Sequence, residues 1–183
     1  MPISTASLIV RASSVADLPA IRAIYAHHVL HGCASFELEP PNLPTMSARR
    51  DAILTKGLPY LCAELDGVVV GYAYADTYRP RPAYRYTVED SVYVKEGCAG
   101  LGIGGKLLSA LIEHCEAGGW RQMLAVVGDS RNTASIALHT RLGFLSAGTL
   151  RSVGFKHGAW RDTVLMQREL SHGDRLPPDD TPP

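Results

Sequence analysis

The pattern of apolar and polar positions changes period repeatedly along the chain, and these changes predict the order of its secondary structure. Runs rich in Val, Ile, Tyr and Leu predict strands, and apolar positions three and four residues apart predict helices. The predicted order is β-α-α-β-β-β-α-β-α-β-β, with hairpin signals at Asp66-Gly67 and at residues 156–158. Because hairpin strands are antiparallel, we expect an α/β fold with a mixed, mostly antiparallel sheet and helices on both faces. A doubly wound parallel sheet is not expected.

Turn and capping residues predict where these elements begin and end. Thr45 is the expected N-cap of the second helix, and Gly143 is the expected stop of the fourth. The loop over residues 33–44 contains three prolines and one aromatic residue, Phe36, which is either a buried anchor or a lid over a ligand. The predicted strands are 8–12, 60–65, 68–76, 84–94, 122–127, 144–155 and 163–170, and the predicted helices are about 14–31, 45–56, 103–118 and 133–142.

Length, charge and cysteine usage narrow the class of protein. A single domain over residues 1–170 is expected, followed by a disordered tail over 171–183 that contains four prolines and three acidic residues. Eighteen basic residues balance 18 acidic ones, which argues against a nucleic-acid or anionic membrane surface. No apolar run reaches the length of a membrane span, and the four cysteines lack C-x-x-C spacing. We therefore expect a cytoplasmic protein with reduced thiols.

The candidate chemistry is concentrated between Tyr84 and Gly105. The first half of this stretch predicts a central strand that carries two adjacent carboxylates, Glu89 and Asp90. The second half is a glycine-rich loop that opens into an amphipathic helix. Backbone N–H groups at a helix N-terminus have no intrahelical partner, and the helix dipole adds positive potential there. A phosphorylated ligand is therefore expected on Gly100 to Gly105.

Several kinds of loop share this glycine spacing. The segment satisfies the dinucleotide pattern G-x-G-x-x-G, but antiparallel strands follow it instead of further βαβ units. It also has P-loop spacing up to Lys106, yet Leu107 stands where Ser or Thr must hold magnesium. A turn without a ligand would not need the five glycines of residues 97–105, since each glycine loses much backbone entropy on folding. A pyrophosphate loop of another kind fits better.

From about residue 8 to residue 170 the chain resembles the GNAT acetyltransferases. The family pattern is Gln/Arg-x-x-Gly-x-Gly/Ala after a central strand, then an Asn near the next helix, then Leu-Tyr-x-x-x-Gly-Phe. The chain has Gly102-Ile-Gly104, Asn132 and the segment 138–144 (Leu-His-Thr-Arg-Leu-Gly-Phe) at these places. Within the family it is most similar to phosphinothricin N-acetyltransferases and to enzymes that acetylate methionine sulfone and sulfoximine. The matching segments are 36–40, 84–94 and 154–160.

This resemblance implies a homodimeric enzyme that uses acetyl-CoA, and no metal, to acetylate the amino group of a small amino acid or analogue. It implies Glu89 as the general base, directly or through a water, and His139 near the thioester. His139 stands where most members have a Tyr that is assigned to protonate the leaving thiolate. The implied coenzyme-binding residues are Val92, Tyr93, Val94, Gly100, Leu101, Gly102, Ile103, Gly104, Gly105 and Asn132. The implied substrate-binding residues are Phe36, Arg79, Arg81 and Tyr84.

Some of these roles have alternatives that the residues leave open. Glu89 could instead form an ion pair with Arg85 or Arg151, because a carboxylate in a central strand needs a partner or a function. His139 could be a helix residue satisfied by packing. Asn132 could cap the fourth helix, bind the pantetheine arm, or do both.

Strand alternation and local stiffness give further expectations. Asp90 should point away from Glu89, so that both acids cannot serve one site. Arg79 and Arg81 lie on a proline-stiffened turn and would bind an anionic substrate, or else remain solvated. Ala99 and Gly100 stand where the family usually has Gln, Arg or another basic residue. We therefore expect weaker coenzyme affinity, with the backbone N–H groups making the contacts.

Two other functions compete with the leading one. The enzyme could acetylate a peptide N-terminus or another amine, or the chain could be a non-catalytic acetyl-CoA-binding module, for which Ala99 is the only support. The first alternative needs an open groove, whereas the Phe36 loop and the Arg79 turn indicate a closed pocket. His27, His28 and His31 are interpreted as structural, since no carboxylate or Cys lies at metal-ligand spacing from them.

Overall fold

The computed structural model describes residues 7–178, which form one seven-stranded sheet and four α-helices. The strands are β1 (Leu8–Ala12), β2 (Tyr60–Leu65), β3 (Val68–Thr77), β4 (Thr87–Val94), β5 (Gln122–Gly128), β6 (Leu145–Lys156) and β7 (Ala159–Glu169). The helices are α1 (Leu18–His31), α2 (Leu43–Thr55), α3 (Ile103–Ala117) and α4 (Thr133–Arg141). The order of strands across the sheet is β1-β2-β3-β4-β5-β7-β6.

The predicted order of elements and the predicted fold class are confirmed. Neighbouring strands are antiparallel except β4 and β5, which pair in parallel. The exception follows from the connections, since hairpins join β2 to β3 and β6 to β7 whereas α3 crosses over between β4 and β5. At the end of α4, Gly143 has a φ of +84° and stops the helix as predicted.

Three local predictions are wrong, in each case because a proline or a tight turn shifts a boundary. Asn42 caps α2 instead of Thr45, and its side chain accepts a hydrogen bond from the Thr45 N–H at 2.9 Å. Pro44 fits the first helical turn, so the helix begins before it. Tyr84 lies in a 3₁₀ turn (Pro82–Tyr84), because the prolines around it exclude it from the central strand. β7 begins four residues earlier than predicted, because the hairpin turn is short.

Helices cover both faces of the sheet and position the central strand. On one face, the Tyr25 ring of α1 meets the Tyr93 ring of β4 edge-on, with 5.1 Å between ring centroids. On the other face, a buried apolar stripe of α3 packs on β3 and β4. Full burial of each Leu or Ile side chain in that stripe contributes roughly 1.5–3 kcal/mol. The central strand is therefore fixed on both sides by packing.

The sheet opens between its two parallel strands. Pairing of β4 with β5 runs only from Thr87 opposite Gln122 to Asp90 opposite Ala125. Beyond that point the two strands diverge, although β4 remains paired to β3 as far as Val94. The backbone groups of β4 that face β5 beyond Asp90 have no strand partner there. This opening creates a polar cleft in the middle of an otherwise closed sheet.

The segment after β7 is described only as far as residue 178. Residues 171–178 form turns, in which Gly173 N–H donates to Leu170 O at 2.8 Å and Arg121 donates to Pro177 O at 3.3 Å. The rest of the predicted disordered tail lies outside the described residues, so its disorder stays a prediction. Between residues 7 and 178, no helix is long and apolar enough to cross a membrane.

Candidate active site

A cavity of about 240 Å³ lies where β4 and β5 diverge. Glu89 and Asp90 line it from β4, residues 125–128 line it from β5, and His139 lines it from α4. Phe36, from the loop after α1, closes one side. The cleft thus brings together two carboxylates, an imidazole and unpaired backbone groups, which are the kinds of group that proton transfer and oxyanion binding require.

Glu89 has the electrostatic properties of a general base. The pKa of Glu89 is raised to about 7, chiefly by burial and also by the carboxylates of Asp90 and Asp76, while the guanidinium of Arg79 opposes the increase. Asp76 lies directly opposite Glu89 in the β3–β4 pairing. Within residues 7–178 Glu89 forms no ion pair, so the alternative of a structural pair with Arg85 or Arg151 is not found.

Asp90 also belongs to this site, and the expectation that only one of the two acids could serve it is wrong. Alternation does turn Asp90 to the α3 and α4 side, but the cleft is open through the sheet and both carboxylates line it. Asp90 Oδ2 lies 3.0 Å from His139 Nε2, and both side chains are almost fully buried. Asp90 therefore lines the same cavity as Glu89, from which the sequence analysis excluded it.

His139 is fixed at both of its ring nitrogens. Nδ1 donates to the Ser135 carbonyl at 2.7 Å, and Nε2 faces the Asp90 carboxylate. Because both neighbours are acceptors, this is the hydrogen-bond pattern of a protonated imidazolium. Burial opposes the positive charge of His139. The hydrogen bond and charge of Asp90, together with the Ser135 carbonyl, outweigh the effect of burial, so the pKa of His139 is raised. The alternative of a histidine satisfied only by packing does not describe this residue.

A second, larger cavity of about 900 Å³ adjoins the first and contains the glycine loop. Gly100 and Gly102 have φ values of +79° and +76°, in the left-handed region that favours glycine. Gly102 is the N-cap of α3, so the N–H groups of Ile103, Gly104 and Gly105 open the helix without intrahelical partners. These donors, together with the helix dipole, fit a pyrophosphate.

The predicted coenzyme-binding residues divide between the two cavities. The larger cavity is lined by Val94, Gly100, Gly102, Ile103, Gly104 and Gly105. Tyr93 lines only the smaller cavity, and Leu101 is exposed in the loop and lines neither. Residues that line both cavities are Ala34, Val92, Gly128, Asn132 and Ser135. These shared residues join the two cavities into one continuous site.

Asn132 is the N-cap of α4, and its predicted binding of the pantetheine arm stays a prediction. Its Oδ1 accepts a hydrogen bond from Ser135 N–H at 3.2 Å, as an N-cap of α4 does. It also lines both cavities, so the cap lies at the junction of the site.

Several basic residues of the larger cavity were missed by the sequence analysis. His28 and His31, interpreted as structural, line it, and His28 Nε2 donates to Val94 O at 2.8 Å. Arg131 and Arg141, at the two ends of α4, line it as well. The sequence signal was the position of these basic residues beside a predicted helix cap or helix end, but their proximity to the glycine loop depends on how β4 and β5 pair.

The four predicted substrate residues are not all together. Phe36 lines the smaller cavity, whereas Arg79, Arg81 and Tyr84 lie exposed on the turn before β4 and do not line it. Arg79 stacks on the Tyr78 ring at 5.0 Å, and its charge acts on Glu89. The turn is thus next to the site without forming its wall.

No group of three or more His, Cys, Asp or Glu within the described residues is arranged to hold a metal ion. Proton abstraction at Glu89, with backbone N–H groups beside it and an anion site next to it, is suited to group transfer from a phosphorylated donor.

Comparison with known proteins agrees with this geometry. Residues 24–144 match the model of the acetyltransferase (GNAT) family. The chain is 60% identical over 163 residues to phosphinothricin N-acetyltransferase of Alcaligenes faecalis, an alignment that covers 89% of this chain and 83% of that protein. It is 43% identical over 162 residues to the L-methionine sulfoximine/L-methionine sulfone acetyltransferase of Pseudomonas aeruginosa, with 88% and 94% covered.

A solved structure shows the same fold over almost the whole chain. The GNAT superfamily phosphinothricin acetyltransferase of Sinorhizobium meliloti, crystallised in complex with acetyl-CoA, superposes with a TM-score of 0.92 at 45% identity. The superposition covers 97% of this chain and 95% of that one.

Proposed function

The chain belongs to the GNAT acetyltransferase family, and we propose that it transfers the acetyl group of acetyl-CoA to the amino group of a small amino acid analogue. The proposed acceptors are of the phosphinothricin or methionine sulfoximine and sulfone type. This proposal is supported by the relatives of this chain, which act on these compounds by name. It is also supported by the site, in which an anion-binding loop adjoins a buried carboxylate.

The observation that carries the proposal is the position and pKa of Glu89. A carboxyl group with a pKa of about 7 is half ionised near neutral pH and accepts a proton from an ammonium more readily than an ordinary glutamate does. It faces the cavity that is continuous with the glycine loop. We propose that Glu89 removes the proton from the acceptor ammonium, directly or through a water.

The remaining groups orient the reactants and stabilise developing charge. The acetyl thioester, when bound, supplies the carbonyl carbon that the amine attacks. The backbone N–H groups of Val92 and Val94 are the proposed donors to the carbonyl oxygen, because by alternation they face away from β3. The N–H group of Tyr93, also predicted as a donor, faces β3 instead. The α3 N-terminus would hold the pyrophosphate, and the cations of Arg131 and Arg141 lie in the same cavity.

The role of His139 as proton donor to the thiolate stays a prediction. Its two N–H groups already point to Ser135 and Asp90, so donation would require one of these hydrogen bonds to break. We propose that its positive charge beside the cavity is its first contribution, since an imidazolium stabilises a developing negative charge.

Arg79 and Arg81 are the proposed partners of the acceptor's acidic groups, and Tyr84 is proposed to border them. Their turn adjoins Glu89, and Arg79 is close enough to act on the pKa of Glu89. A planar guanidinium binds a carboxylate or a tetrahedral anion with two hydrogen bonds.

Thiol release from acetyl-CoA, measured with a panel of amines, tests the function. We expect saturable release with phosphinothricin, methionine sulfoximine and methionine sulfone, and weak release with ordinary amino acids and peptides. Glu89→Gln should lower kcat/KM about 10²–10⁴-fold, the usual contribution of a general base, while Glu113→Gln on the exposed side of α3 should not. Release with peptides alone would indicate a protein acetyltransferase, and full turnover by Glu89→Gln would exclude Glu89 as the base.

We also propose that the protein is a cytoplasmic homodimer. All four cysteines are free thiols, as expected in a reducing compartment. β6 is the edge strand of the sheet, and the β6–β7 hairpin exposes large apolar side chains, including Phe155 at 58% and Trp160 at 65%. Such a patch is typical of a surface that is covered in an assembly.

A further inference from the structure

The loop between α1 and α2 is fastened to the β6–β7 hairpin by a buried lysine. The Lys156 side chain lies at the end of β6, where the residue is only 3% exposed. Its Nζ donates a hydrogen bond to the Ser35 carbonyl at 2.5 Å. Ser35 immediately precedes Phe36, the residue that closes the smaller cavity. The sequence analysis treated this lysine as part of a hairpin turn.

The ammonium of Lys156 has no carboxylate within ion-pair distance among residues 7–178. Burial lowers the pKa of Lys156 below its ordinary value. Removing a charge from water without a counter-ion is costly, and a methionine would fill a similar volume at lower cost. The hydrogen bond to the loop is therefore the feature that distinguishes lysine from an apolar residue here.

Two glycines make room for the Phe36 ring beside this lysine. A Cβ at Gly154 would lie 2.3 Å from Cε2 of Phe36, and a Cβ at Gly128 would lie 3.2 Å from Cε1 and 2.1 Å from Cys33 O. Cβ atoms essentially never come within 3.0 Å of another group in this way, so a side chain at Gly154 would displace the ring. The ring thus occupies a slot formed by β5 and β6.

Other contacts hold the loop on the α1 side. The hydroxyl groups of Tyr25 and Ser35 are 2.8 Å apart, and Glu37 N–H donates to Ser35 Oγ at 3.2 Å. His157 Nε2 donates to Gly32 O at 3.2 Å at the start of the loop. With these contacts in place, loss of the Lys156 hydrogen bond would release the Phe36 segment from the sheet without unfolding the whole loop.

We propose that Lys156 is a positioning residue for the acceptor side of the active site, where its hydrogen bond to Ser35 fixes the Phe36 ring as a wall of the cavity. This inference rests on the proposed function. In this proposal, the wall that confines the small acceptor is held in place by the buried ammonium of Lys156 on β6. The larger cavity, which would hold the coenzyme, does not include Phe36 or Lys156.

Three variants test the inference. Lys156→Met removes the ammonium and keeps the volume, and Gly154→Ala displaces the ring without touching the lysine. Leu61→Ala, in the buried part of β2, is the control for lost stability. For each variant, we would measure the steady-state KM values for phosphinothricin and acetyl-CoA and the calorimetric Kd for acetyl-CoA. Hydrogen exchange of the amides of residues 33–38 reports on the loop itself.

Lys156→Met should raise KM for phosphinothricin about tenfold, since a hydrogen bond from a charged donor is of that strength. Gly154→Ala should raise the same KM by displacing the Phe36 ring. Both variants should leave Kd for acetyl-CoA within about twofold. Exchange of the 33–38 amides should become faster in both. Leu61→Ala should lower the melting temperature with both KM values unchanged.

Equal rises in both KM values, or an unchanged phosphinothricin KM in Lys156→Met, would overturn the inference. If the wild-type protein acetylates none of the amines, the proposed function fails instead. The exchange experiment then still decides whether Lys156 fixes the Phe36 segment, because unchanged exchange in Lys156→Met would overturn that link by itself.

Discussion

Glu89 gives the clearest prediction at the scale of single residues. Its pKa is raised from 4.5 to about 7, chiefly by burial, so its basic form is populated only above that pH. We expect kcat/KM for the acceptor to rise about tenfold per pH unit below pH 7 and to level off above it. Rate measurements between pH 5.5 and 8.5 at saturating acetyl-CoA check this.

Neighbouring charges provide matched controls for this pH profile. Asp76→Asn removes a carboxylate that raises the pKa of Glu89, so the midpoint should move to lower pH. Arg79→Ala removes a cation that lowers it, so the midpoint should move to higher pH. Shifts in the same direction for both variants, or a midpoint near 4.5 in the wild type, would contradict Glu89 as the titrating base.

The buried pair of Asp90 and His139 predicts a pH-dependent stability. The folded-state pKa of His139 is raised above 6.5, so the pair stabilises the fold fully below about pH 6.5. This contribution is lost as the pH rises through the raised folded-state value. We therefore expect His139→Gln to lower the free energy of unfolding more at pH 6 than at pH 9.

Urea unfolding of both proteins at the two pH values measures this difference. Asp90→Asn leaves a buried imidazolium without its partner and should cost about 3 kcal/mol at pH 6, the usual cost of breaking a buried pair. An equal loss from His139→Gln at both pH values would show that the ring acts only through packing.

For single residues, the sequence predicted which side chains could carry the chemistry better than it predicted which residues they contact. Glu89 could be selected because a carboxylate is unusual in a central strand, whereas its raised pKa depends chiefly on its burial in the folded sheet, with smaller contributions from Asp90 and Asp76. The pair between Asp90 and His139 joins residues 49 positions apart and depends on where β4 and β5 diverge. Lys156 looked like a turn residue, because its burial is produced by a loop more than a hundred positions earlier.

At the scale of elements, comparing two asparagine caps distinguishes a residue that contributes only to stability from one that also contributes to binding. Asn42 caps α2 and Asn132 caps α4, each by accepting a hydrogen bond from a backbone N–H three residues later. Replacement of either by Ala should lower the free energy of unfolding by about 1 kcal/mol. Only Asn132→Ala should also weaken acetyl-CoA binding, because Asn132 lines both cavities.

Thermal denaturation and calorimetric titration with acetyl-CoA distinguish the two effects. Asn42→Ala is the control, since α2 does not line the coenzyme cavity. If both variants bound acetyl-CoA as the wild type does, Asn132 would be only a cap.

The order of the elements was predictable because each change in the spacing of apolar residues coincides with a glycine, proline or asparagine that favours a turn or a helix end. The boundaries that were wrong lie beside prolines, where Pro44 begins a helix and Pro82 delays a strand. The glycine loop was also predictable, because positive φ angles and helix-opening N–H groups follow from local sequence. The basic side chains near the loop were not predictable, since they reach it through the tertiary fold; they are those of His28, His31, Arg131 and Arg141.

At the scale of the whole molecule, the site exists because one sheet contains a single parallel pair. The divergence of β4 and β5 is the place where backbone donors, α3 and α4 meet. Neither cavity includes Arg79, Arg81 or Tyr84 within this chain. In the proposed dimer, the turn that carries these three residues could complete the acceptor site of the partner subunit.

The exposed hairpin surface predicts how such a dimer would form. Leu145, Leu150 and Val153 of β6 are exposed along the same hairpin as Phe155 and Trp160. β6 also contains two irregularities in its pairing with β7. These irregularities disfavour simple addition of another strand at the edge, so we expect packing through the apolar side chains. A charge in the middle of this surface would be buried without a partner and should separate the subunits.

Trp160→Glu and Phe155→Glu should therefore convert a dimer into a monomer in light-scattering measurements coupled to gel filtration. Val68→Glu, at a comparably exposed apolar position on β3, should leave the dimer intact. Acceptor KM should rise in the two hairpin variants if the partner subunit completes the acceptor site, while acetyl-CoA affinity should not change, because the larger cavity is complete within one chain. A monomeric wild-type protein, or a dimer that survives both hairpin substitutions, would show that this surface is not the interface.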